Sequence, residues 1–351
     1  MNGQTLARMK GEWWACGSLI RLLCAVAIWR TAVTRILPLC GSAAWWTMLM
    51  CLLPGFAVAL LLRWVMRLSG SATIPEAIRS CLGKWGAAAF SIYLAIALLV
   101  EGVSAMTALT TLFTEGIGTR GTQLTLALLT GGVLLLCLHR NGLARAVYFL
   151  RWGMGAAAVV VAVFLLSDAR LDHLFPIYGR GDGGVFTAVQ AGFSMAWPVV
   201  LLLTVPPSSG QSRLRSGLCP AIGAVAAIFL LALVIPQEWL EPQEGLASLL
   251  LLTLRYSPNA LRVLALCLLM LAFFLSIGAA VQLGTEHLCL PFQSVPVWLP
   301  YVLLVAVLFS QAGDVSRLWR WLGRIEPWLL VPLSAFACVG LLITFVRRIK
   351  L

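Results

Sequence analysis

Two ionisable residues, Arg21 and Glu101, stand inside long apolar stretches of the sequence. A charge at the centre of a membrane helix costs about 2.5–3.5 kcal/mol on insertion scales, so each side chain should face the protein interior or water. The most economical hypothesis is that the two residues pair with each other across neighbouring helices. The alternatives are a proton or ligand site at Glu101, and an Arg21 side chain that extends to the membrane interface because its helix is shifted.

A second candidate site is the stretch from Gly192 to Pro198, which reads GFSMAWP. Pro198 has no backbone N–H, so it interrupts the helical hydrogen bonding and frees a carbonyl about one turn earlier, near Ser194. This break either faces a ligand or is a kink that serves packing. Ser276 lies on another apolar stretch, where a small polar side chain either lines a pocket or joins two helices.

The composition places these residues in a membrane. The chain of 351 residues is 61% hydrophobic and 11% charged, whereas about a quarter of the residues of a soluble domain are charged. Several segments exceed the ~18 apolar residues that a helix needs to cross a bilayer. We therefore predict an all-α polytopic membrane protein that forms a single transmembrane domain over residues 1–351, with about ten transmembrane helices. The predicted spans are 13–30, 43–66, 86–112, 123–139, 146–166, 186–205, 218–236, 260–283, 296–311 and 327–346.

The net charge of +12 has a topological explanation. The Lys and Arg residues stand in short clusters beside the apolar runs, as the positive-inside rule requires, and such clusters contact anionic membrane lipids. With the N-terminus inside, 13 basic residues fall on the cytoplasmic side and 9 on the other side. This bias favours two cytoplasmic termini, and nucleic acid is not an expected partner.

Motifs of soluble enzymes do not occur in the sequence. It contains no H-E-x-x-H, P-loop or G-x-S-x-G pattern, and its three histidines stand near the ends of spans or in loops. We therefore expect no enzymatic activity, no metal site and no cofactor.

A short polar helix is predicted before the third span. Thr73, Pro75 and Glu76 form a capping-box pattern, and Gly83 is suited to end the helix. Ile74, Ala77, Ile78, Cys81 and Leu82 would share one apolar face. Lys84 and Trp85 follow and would anchor the segment at the headgroups.

This segment, IPEAIRSCLGKWGAAAF (74–90), resembles the region before the third span in the B subunits of spore germinant receptors, the GerAB-type endospore germination permeases. Three more stretches resemble the same family in the same order. They are residues 141–181, in which LFPIYGRG (174–181) fills a family pattern, LLLTVPP (201–207), and the segment from DVSRLW (314–319) to the basic end at 350. The resemblance covers about residues 43–351.

The resemblance implies a fold and a function. The family is similar to permeases of the amino acid–polyamine–organocation superfamily, which implies a LeuT-like 5+5 inverted repeat with broken first and sixth spans. It also implies a nutrient-sensing subunit in the inner membrane of the endospore, with an A-type membrane subunit and a C-type lipoprotein as partners. A small germinant such as an amino acid would satisfy the backbone groups freed by the breaks. The predicted ligand-binding residues are Arg21, Ala25, Glu101, Gly192, Ser194, Trp197, Pro198 and Ser276.

Two other functions remain open at the level of the sequence. A proton-coupled amino-acid permease needs a carboxylate within the membrane, and Glu101 supplies one. A ligand-blind scaffold subunit of the receptor is the other alternative, because the first span has no glycine between Gly17 and Gly41. In addition, Trp197 and Pro198 stand where the family often carries a Gly-Glu pair.

Overall fold

The computed structural model describes most of the chain, and the described residues are largely helical. The described residues are 3–71, 73–116, 142–175, 177, 179, 181–204, 213–236, 259–292, 299, 302 and 315–349. The predicted fourth span (123–139) lies outside them, as do all but two residues of the predicted ninth span (296–311).

Helices account for the regular structure of these ranges, in agreement with the predicted all-α class. In chain order they are α1 (Gly3–Thr31), α2 (Leu37–Cys40), α3 (Ala44–Ser69), α4 (Ile74–Gly116), α5 (Gly142–Ser167), α6 (Asp182–Gly192), α7 (Ala196–Thr204), α8 (Arg213–Val234), α9 (Asn259–Phe292), α10 (Val315–Ile325) and α11 (Leu330–Ile349). A π-helical turn (Ala32–Ile36) joins α1 to α2. Short 3₁₀ turns cover Gly41–Ala43, Leu171–Leu174, Phe193–Met195 and Glu326–Leu329.

Six helical runs among the described residues are long and apolar enough to cross a membrane. The first of them, Gly17–Ser69, has 53 residues, which corresponds to about 80 Å of helix and more than twice the hydrocarbon thickness. Gly41, with φ 58°, turns the chain within this run, so the run comprises two segments. The polytopic membrane architecture is confirmed, while the number of ten spans and the inverted repeat remain predictions.

The helices pack around α1, which contacts α5, α7, α8 and α9. The most extensive helix pair joins α4 to α9, and α3 packs against α7 and α11. One main cluster of buried apolar side chains runs through these helices. A residue on the inner face of α1 is therefore shielded from lipid by other helices.

The structure corrects the end of the predicted first span (13–30), which has Arg30 as its last residue and leaves Arg35 outside it. The helical run continues past residue 30 to Cys40, so both arginines lie within it.

The predicted short helix before the third span is confirmed. The Thr73 N–H donates to Glu76 Oε2 at 3.3 Å, and the Glu76 N–H donates to Thr73 Oγ1 at 3.4 Å, which completes the capping box. Gly83, at φ 75° and ψ −168°, interrupts α4 and ends this first part. Ile74, Ala77, Ile78 and Cys81 are buried, whereas Trp85 is 88% exposed. The helix thus has the apolar inner face and the exposed aromatic end that its sequence predicts.

Replacing Thr73 by Ala should loosen this helix without unfolding the protein. The substitution removes the hydroxyl that accepts the Glu76 N–H, and the loss of an N-cap costs about 1 kcal/mol. Hydrogen exchange of the amides of residues 74–82 should accelerate about fivefold. Arg79→Gln changes an exposed residue of the same helix and is the control. Equal exchange in wild type and Thr73→Ala would show that the box contributes nothing.

Candidate functional site

Four charged side chains from three distant parts of the chain meet inside the bundle, and we call Arg30, Arg35, Glu101 and Glu326 the ion cluster. Arg30 Nη2 donates to Glu101 Oε1 at 3.0 Å and Oε2 at 3.2 Å, and to Glu326 Oε1 at 3.1 Å. Arg35 Nη2 forms an ion pair with Glu326 Oε2 at 2.6 Å. The side chains of Arg30, Glu101 and Glu326 are each 1% exposed.

Two serines complete the surroundings of the ion cluster. The Ser104 hydroxyl, one turn after Glu101 on α4, donates to Glu326 Oε1. Arg35 Nη1 donates to Ser194 Oγ at 3.3 Å, and Ser194 in turn donates to the Ala191 carbonyl at 3.0 Å. Ser194 lies in the 3₁₀ turn between α6 and α7. The ion cluster is therefore bonded directly to the interruption of the sixth span.

The charges of the ion cluster balance: two guanidinium groups face two carboxylates. A single unpaired charge in this environment would cost several kcal/mol, and removing one member of a buried pair typically costs about 3–5 kcal/mol. As a neutral set with several hydrogen bonds, the four side chains can remain buried. Their pairing makes four segments of the fold interdependent: the α1–π-turn region, α4, the 3₁₀ turn at 193–195 and the 3₁₀ turn at 326–329.

The π-helical turn places both arginines on one face. In a regular α-helix, residues five positions apart point about 140° away from each other. A π-turn closes its hydrogen bonds from i to i+5, which brings such residues towards the same side. Arg30 and Arg35 are five positions apart, and both reach Glu326. The Thr34 hydroxyl donates to the Arg30 carbonyl at 2.8 Å, so the irregular turn keeps that oxygen hydrogen-bonded.

The sixth span is interrupted as Pro198 predicts. Helix α6 ends at Gly192, the 3₁₀ turn covers Phe193–Met195, and α7 begins at Ala196. Gly192 allows close packing there, since a Cβ on it would lie 2.4 Å from Cys51 Sγ. In the first span the expected break is absent from residues 17–31, where α1 is continuous, and the π-turn follows instead.

Two of the predicted ligand-binding residues each carry a buried polar atom without a hydrogen-bond partner among the described residues. Trp197 Nε1 and Ser276 Oγ are both buried, and neither has a hydrogen-bond partner among the described residues. Both side chains are fully shielded, at 0% exposure. Buried donors in native proteins are nearly always satisfied by protein, water or a ligand. Their helices, α7 and α9, both contact α1.

The structure brings together some of the other predicted site residues and separates one. Glu101 and Ser194 both take part in the network around Arg30 and Arg35, and Pro198 is buried directly after the break. Ala25 is half-buried on α1. The proposed pairing of Glu101 with Arg21 is wrong: the partner of Glu101 is Arg30. Arg21 lies elsewhere on α1 and is only partly buried.

Sequence reasoning missed Arg30, Arg35 and Glu326 because each stands at the edge of an apolar stretch. The predicted first span ends at Arg30 and leaves Arg35 outside it, although apolar residues continue to Cys40. Glu326 similarly precedes a long apolar run and was counted with a loop. Charge balance was the available signal. Arg30 and Arg35 stand at the end and in the continuation of the first apolar run, and the carboxylate of Glu326 stands at the start of the last one.

Comparisons with known proteins give a family and a set of distant structural matches. A family model described as spore germination protein matches residues 22–239. A mutant of the manganese transporter of Eremococcus coleocola is 13% identical, with a TM-score of 0.48, and the match covers 99% of this chain and 80% of that one. The same transporter in complex with an aromatic bis-isothiourea substituted compound is 12% identical at a TM-score of 0.45 and the same coverage. No curated protein matches the chain.

The family match covers more than half of the 351 residues, and its residues include Arg30, Arg35, Glu101 and the interrupted sixth span. The described residues form a polytopic bundle of apolar helices, as a membrane permease requires. The chain is therefore a multi-pass integral membrane protein that belongs to the spore germination protein family.

Proposed function

We propose that this protein is the nutrient-sensing integral membrane subunit of a spore germinant receptor. It binds a small germinant such as an amino acid beside the interrupted sixth span and passes the signal to an A-type membrane subunit and a C-type lipoprotein. It resides in the inner membrane of the endospore with both termini in the cytoplasm. Membership of the family makes it a protein of transporter or receptor type rather than an enzyme.

The observation that carries this proposal is the direct bond between the ion cluster and the helix interruption. Ser194 sits in the 3₁₀ turn and accepts from Arg35, and Trp197 follows three residues later with an unsatisfied buried N–H. A ligand that accepts a hydrogen bond from Trp197 Nε1 would act on the same short segment that holds Ser194. Ligand binding would thereby change the geometry at Arg35 and Glu326, which belong to other parts of the bundle.

The charges of the site suit a zwitterionic ligand. The ion cluster is neutral as a set, so it neither requires nor repels a net charge beside it. An amino acid brings one carboxylate and one ammonium group, which can be satisfied by the backbone groups and polar side chains of a helix break. Signalling requires in addition that the ligand bind one conformation more tightly than another, since equal affinity shifts no equilibrium.

Two observations support the alternatives. Glu101 is held by Arg30 alone among the described charged residues, whereas Glu326 contacts both arginines, so Glu101 is the better candidate for the titrating group of a proton-coupled permease. The unbroken α1 favours a ligand-blind scaffold, because half of the usual ligand-binding backbone is then helical. A flux assay in proteoliposomes separates the permease from the receptor subunit.

The test of germinant binding is a thermal-shift screen of the purified full chain against a panel of amino acids. A ligand at 100 times its Kd should stabilise the folded state by about 2.7 kcal/mol. Trp197→Phe and Ser276→Ala each remove one polar atom, and each should weaken binding about tenfold by loss of a hydrogen bond. Glu101→Gln tests whether the ion cluster contributes to the same response.

Ser334→Ala is a suitable control, because Ser334 is a half-buried serine of α11 whose hydroxyl donates to the Val331 carbonyl of its own helix. A response of equal size in Trp197→Phe, Ser276→Ala and Ser334→Ala would place the ligand elsewhere. A folded wild-type protein that responds to no amino acid would favour the scaffold. Transport without any shift in germination behaviour would favour the permease.

A further inference from the structure

Helix α10 (Val315–Ile325) has a basic face that neither the ion cluster nor the sixth span uses. Its sequence, VSRLWRWLGRI, contains three arginines and no acidic residue. Arg320 and Arg324 are four residues apart, which places them on one side of a helix. Arg320 and Arg324 are exposed. Leu322, on the opposite side, is 0% exposed and packs into the main core.

The position of α10 along the chain indicates its depth in the membrane. Helix α11, which follows, has 20 residues, and its rise of about 30 Å is enough to cross the hydrocarbon layer alone. The residues before α11 therefore lie at the boundary with the headgroups. Trp321 and Trp328 are 46% and 70% exposed there, as expected for tryptophan side chains in the interfacial region.

The other side of α10 adjoins the ion cluster. Glu326 follows the last residue of the helix directly, and its carboxylate is held by Arg30 and Arg35. Gly323 lies over Arg35, because a Cβ on this glycine would be 3.9 Å from Arg35 Nη2. Since one peptide bond joins the last residue of α10 to Glu326, a movement of α10 would also move this buried carboxylate.

We propose that α10 docks on anionic phospholipid headgroups through Arg320 and Arg324, and that this contact holds Glu326 in the ion cluster. Guanidinium groups bind phosphate in a bidentate manner. A helix with a basic face, an apolar face and flanking tryptophans is the type that binds membrane surfaces. The headgroups of the protein's own bilayer are the anions that lie at the depth of this helix. The inference does not depend on whether any germinant binds.

The test compares the full chain in nanodiscs of phosphatidylcholine alone with nanodiscs containing increasing phosphatidylglycerol. Native mass spectrometry measures the phosphatidylglycerol retained by the protein, and thermal unfolding measures its stability. Each arginine near an anionic surface contributes about fivefold to affinity. The double variant Arg320→Gln/Arg324→Gln should therefore retain phosphatidylglycerol about 25-fold more weakly. The melting temperature of the wild type should rise with phosphatidylglycerol, and that rise should be largely lost in the double variant and at high salt.

Arg170→Gln removes a positive charge from an exposed position outside α10, on a segment that also carries Asp168 and Asp172, and it should keep both responses. Glu326→Gln separates docking from its consequence, since it should retain phosphatidylglycerol normally but gain less thermal stability from it. Equal retention of the two lipids by the wild type, or equal retention of phosphatidylglycerol by wild type and Arg320→Gln/Arg324→Gln, would overturn the docking. Selective retention with no thermal effect would overturn the link to Glu326.

Discussion

Replacing Arg30 by Met should destabilise the protein by about 3–5 kcal/mol, the usual cost of removing one partner from a buried ion pair. Arg30 bonds to both carboxylates of the ion cluster, and all three side chains are shielded from solvent. Without it, Arg35 remains as the only described cation facing Glu101 and Glu326. The free energy of unfolding in detergent micelles is the measurement, with the melting temperature as a second measure.

A charge-balanced variant tests whether the unpaired buried charge causes the loss of stability in Arg30→Met. Arg30→Met/Glu101→Leu removes one cation and one anion, and leaves the neutral pair Arg35–Glu326 with Ser104 beside it. Apolar replacements of a complete buried pair are often tolerated, so this double variant should recover at least half of the stability lost in Arg30→Met. Asp172→Asn, at an exposed position, should change stability by no more than about 0.5 kcal/mol. A double variant as unstable as Arg30→Met would show that shape, and not charge balance, sets the requirement at this site.

Replacing Gly55 by Ala should have the second large effect, a loss of about 3 kcal/mol, at the upper end of the range for overpacked cores. A Cβ on Gly55 would lie 2.2 Å from the carbonyl oxygen of Ala196 and 2.9 Å from its carbon. These are backbone atoms at the start of α7, so no side-chain rotation relieves the clash. Helix α3 would have to move away from α7, directly beside the interruption that contains Ser194.

The matched control is Gly153→Ala on α5, where an added Cβ meets no atom within 4 Å. Alanine is the better helix former by about 0.8–1.0 kcal/mol, so this variant should be as stable as the wild type or more so. Unfolding free energies of the two variants measured under identical conditions give the contrast. If Gly55→Ala and Gly153→Ala behaved alike, the close approach of α3 to α7 would not be required for the fold.

Both predictions concern how other parts of the bundle are joined to the interruption of the sixth span. The ion cluster joins the region after α1 to the sixth-span interruption through Arg35 and Ser194, and Gly55 lets α3 pack on the segment that follows the interruption. A receptor subunit must transmit a local change to a distant surface, which requires elements that move as a set. The ion cluster provides such a connection, because none of its charges can leave the others without a large cost.

The membrane class of the protein follows from its amino-acid composition, since a chain with 11% charged residues and apolar runs of this length has no stable place outside a membrane. Local features whose causes lie within a few residues follow from the sequence as well. The capping box at Thr73 and Glu76, the end of that helix at Gly83 and the interruption before Pro198 follow from backbone hydrogen bonding and torsion preferences. The apolar face of the short helix follows from its periodicity in the same way.

The pairing of the buried charges depends on the packing of helices that are distant in the sequence. The sequence indicated that Glu101 must have a partner. Arg21 and Arg30 lie on the same helix, and the packing of that helix against α4 decides which of the two arginines reaches Glu101. Glu326 is 296 positions from Arg30, and no local pattern relates the two residues. The π-turn places Arg35 on the same face of the helix as Arg30. Its irregular geometry is compensated by the contacts that both arginines make with Glu326. Because burial makes each charge costly, the partners are fixed by the packing of the whole bundle and not by the residues beside them.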